Sequence, residues 1–122
     1  MSQHKYKNKH FGASLRAATQ GIVKSFKTER NLKIDLLMAI LVIIISCLVH
    51  ISLTHFMIVF ILIGGVISLE LMNTAIEQTV DLVTEEWHPL AKAAKDMAAG
   101  AVWFFSIISA IIYMMILYDT LS

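Results

Sequence analysis

Residues 97–118 decide the fold, and they read MAAGAVWFFSIISAIIYMMILY without a single charged side chain. About 20 predominantly apolar residues in a helix are enough to cross the roughly 30 Å hydrocarbon core of a bilayer. Two further apolar stretches lie at residues 34–53 and 56–69. Of the 122 residues, 57% are hydrophobic, and the mean hydropathy of +0.72 is too apolar for a water-soluble domain of this size. We therefore expect an all-α integral membrane protein with three transmembrane helices.

The expected organisation is a single membrane domain over residues 10–122, preceded by a basic, disordered tail over residues 1–9. Between His10 and Lys33, apolar side chains recur at helical spacing on one side and basic side chains occupy the other. This pattern predicts an amphipathic helix on the membrane surface. The expected helices are the surface helix at 10–31 and transmembrane helices at 33–51, 55–83 and 89–118.

Positive charge is concentrated near the N-terminus. Eight of the ten Lys and Arg residues lie between Lys5 and Lys33, and the other two are Lys92 and Lys95. Basic residues are enriched on the cytoplasmic side of membrane proteins. We therefore expect the N-terminus and the 82–96 segment to face the cytoplasm, and we expect no nucleic-acid partner.

The second apolar stretch continues into a row of polar side chains. On a helix advancing about 100° per residue, Glu70, Asn73, Glu77 and Asp81 fall within about 80° of one another. Like charges at this spacing repel each other, so stability alone would not favour the row. A divalent metal, or Lys92 or Lys95, would relieve the repulsion.

The expected depth of the second helix in the bilayer indicates which end of the polar row faces the lipid. The 14 residues from 56 to 69 span about 21 Å of helix, which is less than the hydrocarbon thickness. Glu70 is therefore expected just inside the cytoplasmic boundary, with Glu77 and Asp81 further out. A carboxylate at the boundary can meet the hydroxyl of a membrane-dissolved alcohol, and carboxylates further out can meet a metal-bound phosphate. The row predicts a site that joins a lipid to a nucleotide.

Simpler explanations exist for several of these residues. Acids beyond a transmembrane helix are often only a solvated face, which applies to Asp81, Glu85 and Glu86. Lys95 and Asp96 can mark the membrane interface. Trp87 and His88 suit an aromatic belt. Glu29, which projects onto the apolar stripe of the surface helix, can pair with Arg30 or Lys33. Acids inside a membrane, such as Glu70, more often serve function.

Three segments resemble the small prokaryotic diacylglycerol kinases, especially the undecaprenol kinase branch of Gram-positive bacteria. They are Thr28-Glu29-Arg30-Asn31, ELMNTAIEQTVD at 70–81 and HPLAKAAKDMAAGAV at 88–102. The resemblance extends from about Phe11 to Leu117. It implies a homotrimer in the bacterial cell membrane, with active sites shared between neighbouring subunits.

The resemblance also implies residue roles. Glu70 would be the general base that takes the proton of a lipid hydroxyl, and Asn73 would position that hydroxyl or the phosphate. Glu29 and Glu77 would hold Mg²⁺ on ATP. The residues expected to contact the nucleotide are Glu86, His88, Lys95 and Asp96. The basic residue that relatives carry at the start of the surface helix falls on His10 or Arg16, so its role is left unassigned.

The sequence therefore predicts an ATP- and Mg²⁺-dependent lipid kinase. The resemblance makes undecaprenol the preferred acceptor. Diacylglycerol remains the alternative, because both lipids present one hydroxyl at the interface. Two rivals from other classes are a cation-conducting oligomer that uses Glu70 and Glu77 as ligands, and a membrane scaffold without catalysis. Adjacent Lys95 and Asp96, together with the basic surface helix, favour nucleotide and headgroup binding over a pore.

Overall fold

The computed structural model describes residues 10–122, so the tail expected at residues 1–9 lies outside the described part of the chain. Four helices follow one another: α1 (Phe11–Thr28), α2 (Arg30–Leu48), α3 (Leu53–Val83) and α4 (Pro89–Leu121). The helices α2, α3 and α4 are long and apolar enough to cross a membrane. Between residues 10 and 122 there is no strand. The expected all-α class with three membrane-crossing helices is confirmed.

The first helix has an apolar side that the rest of the protomer does not cover. Phe11, Leu15 and Ile22 are 81%, 57% and 45% exposed, and α1 has no buried residue. His10 begins the helix as its N-cap, because its Nδ1 accepts a hydrogen bond from the Ala13 amide at 3.1 Å. An uncovered apolar stripe opposite basic side chains suits a helix lying in the headgroup region.

The α1 helix ends before the expected boundary at residue 31. Glu29 has extended backbone angles (φ −99°, ψ 118°) between the two helices, and α2 begins at Arg30. Glu29 therefore does not lie on the helical stripe where its periodicity put it. A helix lying along the surface and a helix crossing the bilayer need different axes, and one extended residue permits that change of direction.

Helix length separates the part of the protein that fits the bilayer from the part that exceeds it. The 19 residues of α2 measure about 28 Å, close to the hydrocarbon thickness. The 31 residues of α3 and 33 of α4 measure about 46 and 50 Å. These two helices pack against each other and are joined by residues 84–88. At that end they can reach beyond the hydrocarbon core.

A tight turn connects α2 to α3. His50 adopts a left-handed conformation with φ of 59°. The His50 amide donates to the Cys47 carbonyl at 3.3 Å, and the Ile51 amide donates to the Ser46 carbonyl at 3.2 Å. This pair of hydrogen bonds satisfies carbonyls that the end of a helix otherwise leaves unpaired. The turn makes α2 and α3 antiparallel neighbours.

The half of the bundle near this turn contains the apolar core. Ile51, Val59 and Ile116 are buried together there. A polar contact reinforces it, because the fully buried Ser46 hydroxyl lies 2.8 Å from the Tyr113 hydroxyl. The Tyr113 hydroxyl also lies 3.2 Å from the Val42 carbonyl oxygen, to which it donates. Satisfied polar groups of this kind hold helices together inside lipid.

Gly65 on α3 leaves space for an aromatic ring of α4. A Cβ atom at this position would clash with the tip of the Phe105 ring. The neighbouring Gly64 has nothing within 4 Å of the corresponding point. The absent side chain of Gly65 therefore makes room for the aromatic ring.

We expect Gly65→Ala to lower the free energy of unfolding by about 1–3 kcal/mol, because the rigid Phe105 ring must move. Gly64→Ala is the matched control, and it should be neutral or slightly stabilising because Ala favours helix more than Gly does. Unfolding of both variants in mixed micelles, followed by circular dichroism, measures the difference. Equal stability of the two variants would contradict the close packing at Gly65.

Candidate active site

The polar row on α3 begins among buried residues. Glu70 is 5% exposed and Asn73 is 6% exposed, whereas Glu77 is half-buried. The Asn73 side-chain amide donates to Glu77 Oε1 at 3.2 Å. The helical spacing predicted from sequence thus brings Asn73 and Glu77 into contact, with Glu70 one turn further along the same helix.

Two acceptor groups in the row have no partner within the described protomer. Asn73 Oδ1 is buried without a hydrogen-bond donor. Among residues 10–122, the side-chain hydrogen bonds and ion pairs of the protomer do not involve the Glu70 carboxylate. A buried acceptor is costly unless a donor reaches it. Both groups are therefore available to a bound ligand.

An ion pair connects the far end of the row to α4. Lys95 Nζ lies 2.7 Å from Asp81 Oδ1, and it is close enough to Glu77 for attraction between the two charges. Lys92 Nζ lies 2.6 Å from Asp96 Oδ2, one turn along α4. Lys95 and Asp96 thus pair with other residues and not with each other. Ion pairs as exposed as these contribute little stability, so their value lies in holding charges near the row.

A cavity of about 330 Å³ opens beside this ion pair. It is lined by the four residues expected to contact the nucleotide, which are Glu86, His88, Lys95 and Asp96. Trp87 and Lys92 line it as well. Two ammonium groups are suited to phosphate oxygens, and the indole ring offers an apolar face. From the sequence, Trp87 could be either an aromatic-belt residue or a ligand contact. In the structure Trp87 lines the cavity.

The loop at residues 84–88 is shaped by two local hydrogen bonds. The Glu86 amide donates to Thr84 Oγ1 at 3.1 Å. The Leu90 amide donates to His88 Nδ1 at 3.1 Å, so His88 is the N-cap of α4. Sequence reasoning missed this capping role, although an N-cap directly before Pro89 was a visible signal. The cap uses only Nδ1, which leaves Nε2 for a ligand.

The residues expected to hold Mg²⁺ do not form a metal centre by themselves. Among residues 10–122, no three His, Cys, Asp or Glu side chains are grouped to hold a metal. Glu29 lies at the break between α1 and α2 and takes no part in the hydrogen bond between Asn73 and Glu77. Mg²⁺ on a nucleotide, however, needs only one or two carboxylates besides phosphates and water. Glu77, with one oxygen outside its hydrogen bond to Asn73, fits that requirement.

A buried carboxylate in a membrane helix, connected along one helix face to a lysine-lined cavity, is the arrangement expected of a membrane-embedded phosphotransferase. Residues 16–117 match the family described as prokaryotic diacylglycerol kinase, and the chain belongs to that family.

Three relatives illustrate the match. The chain is 50% identical over 113 residues to the undecaprenol kinase of Bacillus subtilis, covering 93% of this chain and 92% of the relative. It is 39% identical over 100 residues to a diacylglycerol kinase of Synechocystis, covering 81% of this chain and 57% of the relative. A 32-residue segment is 62% identical to a diacylglycerol kinase of Pseudomonas aeruginosa, covering 26% of each chain.

These relatives confirm the lipid-kinase class that the sequence predicted. A kinase of this family takes phosphate from ATP, and its membrane helices imply a lipid acceptor. Because kinase relatives match nearly the whole chain, they favour catalysis over the cation-conducting and scaffold alternatives.

His88 both caps α4 and lines the cavity. Substitutions can separate these two roles. His88→Ala should lower the free energy of unfolding by about 1 kcal/mol through loss of the cap. His88→Asn restores a capping oxygen, so we expect parental stability but a raised KM for ATP. Thermal unfolding and steady-state kinetics measure the two effects. If His88→Asn recovers both, His88 acts only as a cap.

Proposed function

We propose that this protein transfers the γ-phosphoryl group of ATP to undecaprenol and so produces undecaprenyl phosphate. The observation that carries the proposal is the continuous polar row from the buried Glu70 to the Lys95 cavity. The Bacillus subtilis relative, 50% identical over almost its full length, supports undecaprenol as the acceptor. Diacylglycerol is the alternative, supported by the family and by the Synechocystis relative.

Glu70 is the general base in this proposal. Its carboxylate accepts the proton of the lipid hydroxyl, the hydroxyl oxygen forms a bond to the γ-phosphorus, and the bond to the β-phosphate oxygen breaks to release ADP. Burial of Glu70, which is 5% exposed, keeps bulk water away from the carboxylate. Exclusion of water also protects ATP from hydrolysis while no lipid is bound.

Positioning accounts for the remaining catalytic contribution, as in other phosphoryl transfers. Asn73 positions the hydroxyl or the transferred phosphate, and its unpartnered Oδ1 can accept a hydrogen bond from the hydroxyl. Glu77 and Glu29 hold Mg²⁺, which neutralises charge on the phosphates when it is bound. The residues that bind the nucleotide are Glu86, His88, Lys95 and Asp96.

The proposed assembly is a homotrimer in the bacterial cell membrane, with the N-terminus in the cytoplasm. The concentration of Lys and Arg before α2 supports this orientation. Family resemblance supports the trimer and the sharing of each site between neighbours. Glu29 lies at the break between α1 and α2 and takes no part in the Asn73–Glu77 hydrogen bond, so sharing would offer a second route by which Glu29 can reach the nucleotide.

A side-by-side assay of undecaprenol and diacylglycerol in mixed micelles with labelled ATP tests the proposed reaction. We expect kcat/KM for undecaprenol to exceed that for diacylglycerol at least tenfold. A preference for diacylglycerol would replace the acceptor but keep the kinase. Failure to phosphorylate either lipid would overturn the proposed function.

The same assay tests Glu70 through Glu70→Gln, which keeps shape and burial but removes the basic oxygen. We expect at least a hundredfold loss of kcat, in the range for general-base removal, with parental stability. The matched control is Asp119→Asn, which changes an acid at the end of α4 far from Lys95. This variant should retain activity. Near-parental turnover by Glu70→Gln would remove Glu70 from the base role.

The metal assignment predicts a separate phenotype. Glu77→Gln and Glu29→Gln should each raise the Mg²⁺ concentration needed for half-maximal rate, roughly tenfold or more because a ligand is lost. The KM for the lipid should stay near the parental value. A titration of rate against Mg²⁺ at fixed ATP measures this, and an unchanged metal requirement in both variants would refute the assignment.

A further inference from the structure

The acidic row on α3 contains one residue, Asp81, that the proposed mechanism does not use. Asp81 lies one helical turn beyond Glu77, which separates the two residues by about 6 Å along the helix axis. Its Oδ1 atom accepts a hydrogen bond from Lys95 Nζ at 2.7 Å. Both partners lie outside the apolar stretches at residues 56–69 and 97–118. The contact therefore joins α3 to α4 where the two helices extend beyond the hydrocarbon core.

The position of Asp81 relative to the cavity beside this ion pair defines how it can act. Among the described residues, those that line the cavity include Lys95 but not Asp81. A nucleotide in the cavity can therefore touch the ammonium group without touching the carboxylate. An ammonium group has three N–H donors, so the contact with Asp81 leaves two for phosphate oxygens. An effect of Asp81 on the nucleotide then passes through Lys95.

Two other acids are candidates to compete for the Lys95 ammonium group. Asp96 is a poor competitor, because adjacent positions on a helix do not face each other and Asp96 is already paired with Lys92. Glu77 is a better one, since it attracts the ammonium group and has one oxygen outside its hydrogen bond to Asn73. The four-carbon stem of lysine is flexible, so a shift of one helical turn is within its reach.

Stability does not account for the contact between Asp81 and Lys95. The two side chains are 52% and 40% exposed, and ion pairs this exposed contribute little to folding. Loss of the contact, in contrast, changes which acid the ammonium group meets. An ammonium group that turned to Glu77 would compete with Mg²⁺ for the same carboxylate.

We propose that Asp81 is a positioning residue that holds the Lys95 ammonium group at the cavity and away from Glu77, so that Glu77 remains free to bind Mg²⁺. This inference rests on the proposed use of Mg²⁺ and ATP, and it adds a residue that keeps the metal ligand and the phosphate ligand apart. Lys95 then meets the phosphates while Glu77 meets the metal.

The Mg²⁺ requirement gives the first test. Asp81→Asn keeps the shape of the side chain and removes its charge. We expect the Mg²⁺ concentration for half-maximal rate to rise roughly tenfold, as for loss of a group that orients a metal ligand, with parental thermal stability and an unchanged KM for the lipid. Asp81→Glu keeps the charge and should recover most of the loss. An unchanged Mg²⁺ requirement, or an equal rise in the KM for the lipid, overturns the inference.

The matched control removes an exposed acid from an ion contact elsewhere in the bundle. Asp119 Oδ2 lies 3.8 Å from His55 Nε2, at the end of the bundle opposite the cavity. Asp119→Asn should keep the parental Mg²⁺ requirement. A rise equal to that of Asp81→Asn would show a general effect of charge and would overturn the inference.

A second background separates the positioning of Lys95 from the charge of Asp81 itself. In Lys95→Met no ammonium group can move to Glu77. Mn²⁺ accepts the same oxygen ligands as Mg²⁺, and its binding beside β,γ-methylene ATP is measured by electron paramagnetic resonance, which does not depend on turnover. We expect Asp81→Asn to weaken Mn²⁺ binding roughly tenfold in the parent background and less than about twofold in the Lys95→Met background. Equal losses in both backgrounds show that Asp81 acts by its own charge, and they overturn the inference.

The outcomes separate this inference from the proposed function. Phosphorylation of undecaprenol, with the same Mn²⁺ affinity in the parent and in Asp81→Asn, overturns the inference and leaves the kinase in place. A Lys95-dependent loss of Mn²⁺ binding, in a protein that phosphorylates neither lipid, supports the role of Asp81 and overturns the function.

Discussion

The structure depends on one constraint: polar side chains inside a membrane helix must find partners within the protein or in its ligands. Glu70 and Asn73 are buried in α3, at a depth where water cannot satisfy them freely. Asn73 meets half of its requirement by donating to Glu77. Asn73 Oδ1 has no donor in the described protomer, and no side-chain hydrogen bond or ion pair within residues 10–122 involves the Glu70 carboxylate. Acceptors left unpaired at this depth cost stability, which makes Glu70 and Asn73 candidates for contact with substrates.

Helix length gives the polar row one end inside the bilayer, at Glu70, and one end beyond it, at Lys95. The α2 helix matches the bilayer, whereas α3 and α4 exceed it by roughly 15–20 Å. The additional turns carry Glu77 and Asp81 on α3 and Lys95 on α4, and the Lys95 ammonium group attracts both carboxylates. A water-soluble nucleotide can bind at this end while a lipid remains in the bilayer at Glu70. Phosphoryl transfer between such different molecules requires both environments within a few helical turns of each other, and one continuous helix provides them.

Sequence periodicity was sufficient to predict the three membrane helices and the polar face of α3, because both follow from a fixed rotation per residue. It could not locate the break at Glu29, since the amphipathic pattern continues past the point where the chain must change direction. It also missed the cap at His88 and the surroundings of Asp35. The cap is a local feature that Pro89 signals, whereas the surroundings of Asp35 depend on which helices meet. A single apolar stretch carries no information about its neighbours. The aspartate was visible within the first apolar stretch, but only the packing of three helices gives it a cavity.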